Sequence, residues 1–297
     1  MRKILVIMDG ASDSGINTPL KSANIPNLDY LALNGRTGLM YTLKKGVAPE
    51  SDVGVMSILG YDPNKYYKGR GPLEMNGMNL KFKEFTAFRA NFATAKDGKI
   101  IDRRVGRNLS TQESIGLAKS LNKIKLRYAF LFKPTVEHRG LFIIKKSLPF
   151  NVTNTDIGYK KLGLISNALS KFSNKFEFSR SLDKESKITS EMINEFTLGS
   201  IEILNNHPIN KRRISRGYMP ANIILLRDPG NKLPKFPKKK NWIAINSMPL
   251  EIGISKLAGF KVIKVPLGKD YYENLKNVSD YSIKYLKKYP NKDFYIH

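Results

Sequence analysis

The chain opens on an uninterrupted apolar run, Ile4-Leu5-Val6-Ile7-Met8, closed by Asp9-Gly10. A short run without polar alternation predicts a strand covered on both faces, as in a parallel sheet sandwiched between helices. In open sheets of that kind ligands collect beyond the carboxyl ends of the strands, which is where Asp9 falls. Similar runs close the chain. Strands at residues 242–245, 261–265 and 293–296 alternate with helices at 250–259 and 271–288. Alternation at both ends predicts a single α/β sheet assembled from two separated segments, residues 1–69 and 238–297, around an inserted domain at 70–237.

Within the first segment, residues 26–32 predict a short helix ended by Asn34-Gly35. The loop Gly46-Val47-Ala48-Pro49-Glu50-Ser51-Asp52 precedes a helix at 53–59 that stops at Gly60, so Ser51 or Asp52 stands at its start. The insert differs in texture. Residues 66–110 are rich in Gly, Asn and Arg, with strand patterns at 85–93 and 99–102. Strands at 128–132 and 140–144 flank a loop at 133–139, and 221–226 is a further buried strand. Residues 189–206 form an amphipathic helix with Ile193, Phe196, Ile201 and Leu204 on one side. The proline-rich stretch 229–237 reads as the exit from the insert, and 232–240 as a solvated, lysine-rich connector.

Composition removes several classes of function. With no cysteine, disulfide staples, thiolate metal sites and cysteine nucleophiles are excluded. Three histidines, His138, His207 and His297, leave little imidazole for metal binding or proton transfer. No apolar stretch of about 18 residues suggests a membrane-spanning helix, and the short amino-terminal run lacks a signal-peptide cleavage site, so a cytoplasmic location is expected. The formal charge of +26 brings polyanion binding into consideration, and a nucleic-acid-binding basic protein is the alternative from another class. Against it, lysines outnumber arginines 37 to 14 and are dispersed along the chain.

Asp9 and Ser51 both fall at the expected carboxyl edge of the sheet, where a helix start also offers free N–H groups to a phosphate. Taken alone, a serine placed like Ser51 is more often just a helix cap and an aspartate like Asp9 more often a turn residue. The arginines concentrate in glycine-rich and loop segments: Arg70 within Gly69-Arg70-Gly71-Pro72, Arg89 before Asn91, then Arg103, Arg104 and Arg107, Arg139 after His138, and Arg227. Planar bidentate donors so placed suit carboxylate or phosphate, and each one singly also suits a surface ion pair. His138 is a proton shuttle or a structural hydrogen-bonder, and His207 a helix terminator.

Taken together these pieces resemble archaeal-type cofactor-independent phosphoglycerate mutase. The resemblance is carried, in order, by Ile7-Met8-Asp9-Gly10, Pro49-Glu50-Ser51-Asp52, Leu59-Gly60-Tyr61-Asp62-Pro63, Tyr66-Tyr67-Lys68-Gly69-Arg70-Gly71-Pro72-Leu73-Glu74 and Phe88-Arg89-Ala90-Asn91-Phe92-Ala93-Thr94. Asp102-Arg103-Arg104-Val105-Gly106-Arg107, Val136-Glu137-His138-Arg139-Gly140, Asn206-His207-Pro208-Ile209-Asn210 and Pro220-Ala221-Asn222 continue it.

The resemblance implies an alkaline-phosphatase-like α/β core sheet with an inserted α+β substrate domain, and a mutase that exchanges 3-phosphoglycerate and 2-phosphoglycerate through a phosphoserine at Ser51. It implies two divalent cations (Mn, Mg, Zn or Co) with Asp9 and Ser51 among their ligands, no need for 2,3-bisphosphoglycerate, and no nucleic-acid or membrane partner. Arg70, Asn91, Arg103, Arg104, Arg107, His138, Arg139, Asn222 and Arg227 are the implied substrate-binding residues. The family's metal-binding histidines would follow the strand at 293–296, past His297. The core is therefore expected to be incomplete at its C-terminal part, the chain inactive by itself, and a complementing C-terminal polypeptide to supply the rest; a noncatalytic phospholigand-binding role is the remaining expectation. Val265-Pro266-Leu267-Gly268-Lys269 and Leu250-Glu251-Ile252 depart from the family pattern.

Overall fold

The structure, a computed structural model, describes residues 1–11 and 13–297. The chain begins with strand β1 (Ile4–Val6) and helices α1 (Pro19–Ser22), α2 (Pro26–Asn34), α3 (Ser51–Ile58), α4 (Pro63–Tyr66) and α5 (Arg70–Gly77). Strands β2 (Thr86–Lys96) and β3 (Lys99–Asp102), helix α6 (Thr111–Leu121), and strands β4 (Phe130–Pro134), β5 (Arg139–Ile144), β6 (Tyr159–Leu162) and β7 (Ile165–Ala168) follow. Then come α7 (Lys187–Asn205), α8 (Pro208–Ser215), β8 (Ile223–Gly230), β9 (Trp242–Asn246), α9 (Pro249–Leu257), β10 (Lys261–Lys264), α10 (Tyr271–Lys288) and β11 (Asp293–Ile296).

Two large sheets divide the work, and β6 and β7 pair separately as an antiparallel hairpin. A parallel sheet runs in the order β1-β11-β9-β10. Period-two alternation sends Ile243, Ile245, Phe294 and Ile296 to the face covered by Val278, Tyr281 and Tyr285 of α10, while Ala244 and Tyr295 meet α3 and α9 on the other. The second sheet is antiparallel, in the order β3-β2-β5-β4 with β8 also paired to β2. Its aromatic face packs under α6 and α7, where Phe142 and Phe196 stack at 4.3 Å.

Helix α5 joins the two sheets, lying against α9 on one side and β2 on the other. A Cβ at Gly77 would stand 1.8 Å from the Pro249 carbonyl oxygen, and one at Gly71 2.1 Å from that of Ala87. Only glycine permits both approaches, which is why a stretch that resembles a loop in sequence is a buried helix here.

Three expectations need correction. The opening run is not covered on both faces: β1 is an edge strand, and Ile4 and Val6 are 46% and 56% exposed. Burial of a strand is decided by its neighbours, which the run itself does not encode. The stretch at 232–240 is not a free connector, since Phe236 is buried and stacked on Tyr61 at 4.4 Å and Lys239 Nζ donates to the Leu59 carbonyl at 2.6 Å. Strand β8 continues past residue 226 to Gly230, carrying Asp228 and Pro229 into the core.

Candidate active site

Asp9 follows β1 and Ser51 is the first residue of α3, so both stand at the carboxyl edge of the parallel sheet. Ser51 Oγ donates to Asp9 Oδ2 at 2.6 Å. His297, just past β11, places Nε2 3.8 Å from the same carboxylate oxygen. The other ring nitrogen, Nδ1, lies 2.9 Å from the Tyr295 hydroxyl and 3.8 Å from Glu251 Oε1. Burial raises the Glu251 carboxyl above its ordinary value, with His297 opposing.

The loop before Ser51 is gripped by the β6–β7 hairpin, by α5 and by β8. Asn167 Oδ1 on β7 accepts from the Ala48 amide at 2.8 Å. Glu50, adjoining the serine, accepts from Arg70 Nη1 at 2.8 Å and from Arg227 Nη1. On its other side Asp52 is buried and bonded to the Tyr67 hydroxyl; burial raises the pKa of both groups.

From Glu50 a chain of alternating charges spreads through the interior. Arg70 and Arg89 both donate to Glu74 at 2.7 Å. Burial alone would raise the Glu74 carboxyl, yet the two guanidinia hold it at about 2. Arg227 meets Asp156 and Asp228 as well as Glu50, and its guanidinium lies 4.1 Å from the Tyr159 ring. Arg103 binds Asp156 at 2.5 Å and lies over the same ring at 4.6 Å. Burial pushes the Asp228 carboxyl up to about 7 against the pull of Arg227. Buried ion pairs of this kind need every partner, because an unmatched buried charge is costly.

A second group forms around His138. Burial, and then Arg139, Arg89, Arg104 and Arg107, depress its pKa to about 2, so the ring is neutral. Its Nδ1 and the Asn91 Oδ1 are buried without a hydrogen-bond partner. Val105, Arg107 and Glu137 around it take φ values of +54°, +55° and +54°, conformations that side chains rarely adopt. Arg139 is paired to the half-exposed Glu137 at 2.9 Å. Arg104 and Arg107 are in no ion pair among the described residues.

The sequence-derived residues thus separate. Asp9 and Ser51 touch; Arg104, Arg107, His138, Arg139 and Asn91 lie together or on adjoining strands; Arg70, Arg103 and Arg227 are engaged by acids. Asn222 spends its amide on Ala95 and Asn205, bonding Ala95 N at 2.8 Å and Asn205 Oδ1 at 2.9 Å. Glu50 and Glu74 lie within motifs that carry the resemblance but receive no role from the sequence, and Asp156, Tyr159 and Asp228 are unmarked there, although the i,i+4 spacing of Arg70 and Glu74 is a usable signal for one pair.

Solved structures sharing this plan are of the α/β, alkaline-phosphatase-like kind. One is the cofactor-independent phosphoglycerate mutase of Thermoplasma acidophilum, 31% identical with a TM-score of 0.52, covering 99% of this chain and 76% of that one. Another, from Pyrococcus horikoshii, is 26% identical with a TM-score of 0.66, covering 99% and 69%. Residues 32–210 match the 2,3-bisphosphoglycerate-independent phosphoglycerate mutase family. The relative of that name from Aeropyrum pernix is 39% identical over 90% of this chain and 68% of its own length; that from Thermoplasma volcanium is 35% identical over 95% and 70%. The chain belongs to this family of isomerases, which by its name dispenses with 2,3-bisphosphoglycerate.

The pair of divalent cations implied by the resemblance can be tested against the donors present. Among the described residues no group of three or more His, Asp or Glu side chains converges. Asp9, Ser51 and His297 offer two oxygens and one nitrogen, which does not fit a two-cation centre.

Proposed function

We propose that the chain serves the interconversion of 3-phosphoglycerate and 2-phosphoglycerate of glycolysis and gluconeogenesis, with Ser51 as the phosphoryl carrier. The single observation that carries this reading is the Ser51 hydroxyl donating to Asp9 at the head of α3. Asp9 accepts the serine proton as Oγ attacks phosphorus; the Oγ–P bond forms, the bond from phosphorus to O3 breaks, and O3 takes the proton. Attack by O2 on the phosphoserine reverses these steps and yields 2-phosphoglycerate. The positive end of α3 favours the phosphoryl group.

Arg104, Arg107 and Arg139 are proposed to hold the glycerate carboxylate while the molecule turns, with His138 and Asn91 lining its seat. Retention matters, since loss of glycerate would leave the phosphoserine to water. Arg70, Arg103 and Arg227 act in this reading through Glu50 and Asp156, and Asn222 braces β2. Residues 1–69 and 238–297 form the part that presents Ser51, and 70–237 the part that holds substrate. Asp9 and Ser51, with His297, are proposed as one side of any cation site. No helix among the described residues is long and apolar enough to cross a membrane, in keeping with a small-molecule substrate and a cytoplasmic setting. No observation favours a noncatalytic or nucleic-acid-binding role.

The test is calorimetric titration with 3-phosphoglycerate, followed by peptide mass spectrometry after incubation with manganese. Arg107→Ala and Arg139→Ala are each expected to weaken binding at least tenfold, and phosphate is expected on Ser51 and absent from Ser51→Ala. Wild-type protein that does not bind 3-phosphoglycerate, or phosphate carried on another residue, overturns the reading.

A further inference from the structure

Between β3 and α6 the backbone turns against its usual hand. Val105, Gly106 and Arg107 take φ values of +54°, +60° and +55° in succession, and the Arg107 amide donates to the Arg104 carbonyl at 3.0 Å. Glycine enters that region freely; an arginine and a valine branched at Cβ stay there only when their surroundings impose it. Val105 is fully buried, in the same cluster as Phe92, Leu109 and Leu117.

The turn is braced on both sides. Before it, Asp102 Oδ1 accepts from the Arg104 amide at 2.6 Å. After it, Arg213 of α8, 105 residues further along the chain and 2% exposed, donates to the Asn108 carbonyl at 3.3 Å and to the Asn108 side-chain oxygen. The same guanidinium donates to Glu113 Oε2 at 3.0 Å and to the Met219 carbonyl at 2.9 Å, and Glu113 closes the capping box of α6 with Ser110. Only a planar fork of donors spans these acceptors at once.

Arg104 and Arg107 flank the turn and, with Arg139, act on the neutral His138. Burial, and then Arg104 and Arg139, lower the Arg107 pKa, so these like charges oppose one another. Among the three, Arg139 alone has an acid, the half-exposed Glu137. Without a brace such charges would separate toward solvent. The buried, unpartnered Nδ1 of His138 and Oδ1 of Asn91, which is in register with Arg139, mark the same place as one awaiting a polar ligand.

We propose that Arg213 is a positioning residue for the substrate carboxylate: through Asn108 it holds residues 105–107 in their left-handed turn, and so keeps Arg104 and Arg107 together against their own repulsion. The inference rests on the proposed reaction, in which those two guanidinia and Arg139 grip the glycerate carboxylate.

The test titrates the whole chain calorimetrically with 3-phosphoglycerate and with glycerol 3-phosphate, which carries the phosphate without the carboxylate. Wild type is expected to prefer 3-phosphoglycerate. Arg213→Lys keeps the charge but cannot span Asn108 and Glu113 together, and is expected to shrink that preference about tenfold, the worth of one charge-assisted hydrogen bond. Asn108→Ala, at an exposed residue, removes a single accepting oxygen and is expected to shrink it in the same direction, which decides the matter should Arg213→Lys not fold. A role confined to stability would weaken both ligands alike, so a ratio of affinities unchanged in the folded variants overturns the inference alone. Wild type with no preference for 3-phosphoglycerate overturns the proposed function and the inference with it, and the two failures are thereby told apart.

Discussion

His138 and Asp228 pull stability in opposite directions over the same span of pH. His138 folds neutral, with its pKa depressed from 6.5 to about 2, so the unfolded chain binds the extra proton and stability is lost as pH falls below about 6.5. Asp228, raised from 3.8 to about 7, holds its proton longer when folded, so its contribution falls as pH rises through that window. The His138→Gln variant is therefore expected to gain less stability than wild type between pH 5 and 7, by about 2 kcal/mol, and Asp228→Asn to gain more. Urea denaturation at the two pH values checks both signs. Glu50→Ala leaves Arg70 and Arg227 short of a buried acceptor, and a loss of about 3–5 kcal/mol is expected in the same assay. The meeting of Asp9 and Ser51 was legible because each closes or opens an element whose pattern is local. The partners of Glu50 were not, since Arg227 lies 177 residues away and nothing in either neighbourhood marks the other.

At the scale of elements, the two glycine contacts of α5 are the most exacting. Gly77→Ala drives a methyl into the Pro249 carbonyl and is expected to destabilise by roughly 1–3 kcal/mol. Gly54→Ala in α3 meets nothing within 4 Å and is expected to be neutral or slightly stabilising. Thermal melts of the two variants make the comparison. Long amphipathic helices such as α7 and α10 were legible from their periodicity. Helix α5 was not, because Gly71, Pro72 and Gly77 read as loop until a close neighbour explains them. The hairpin β6–β7 escaped for a different reason: Tyr159-Lys160-Lys161-Leu162 carries little apolar signal, and its worth lies in Tyr159 stacking on two arginines.

For the whole molecule, the surplus of +26 acts on an anionic substrate at long range. Affinity for 3-phosphoglycerate is expected to fall several-fold between low and roughly 0.5 M salt as the Debye length shortens, which titrations at graded ionic strength will show. The parallel sheet, drawing its strands from both ends of the chain, was legible from the alternation there, and its open edge was not, because exposure belongs to neighbours. Glu50 ties these scales together. Its two arginines, at 70 and 227, stand close to the places where the polypeptide passes from one sheet to the other. A displacement of α5 or of β8 from the loop before Ser51 would therefore strain an ion pair of the residue that adjoins the serine.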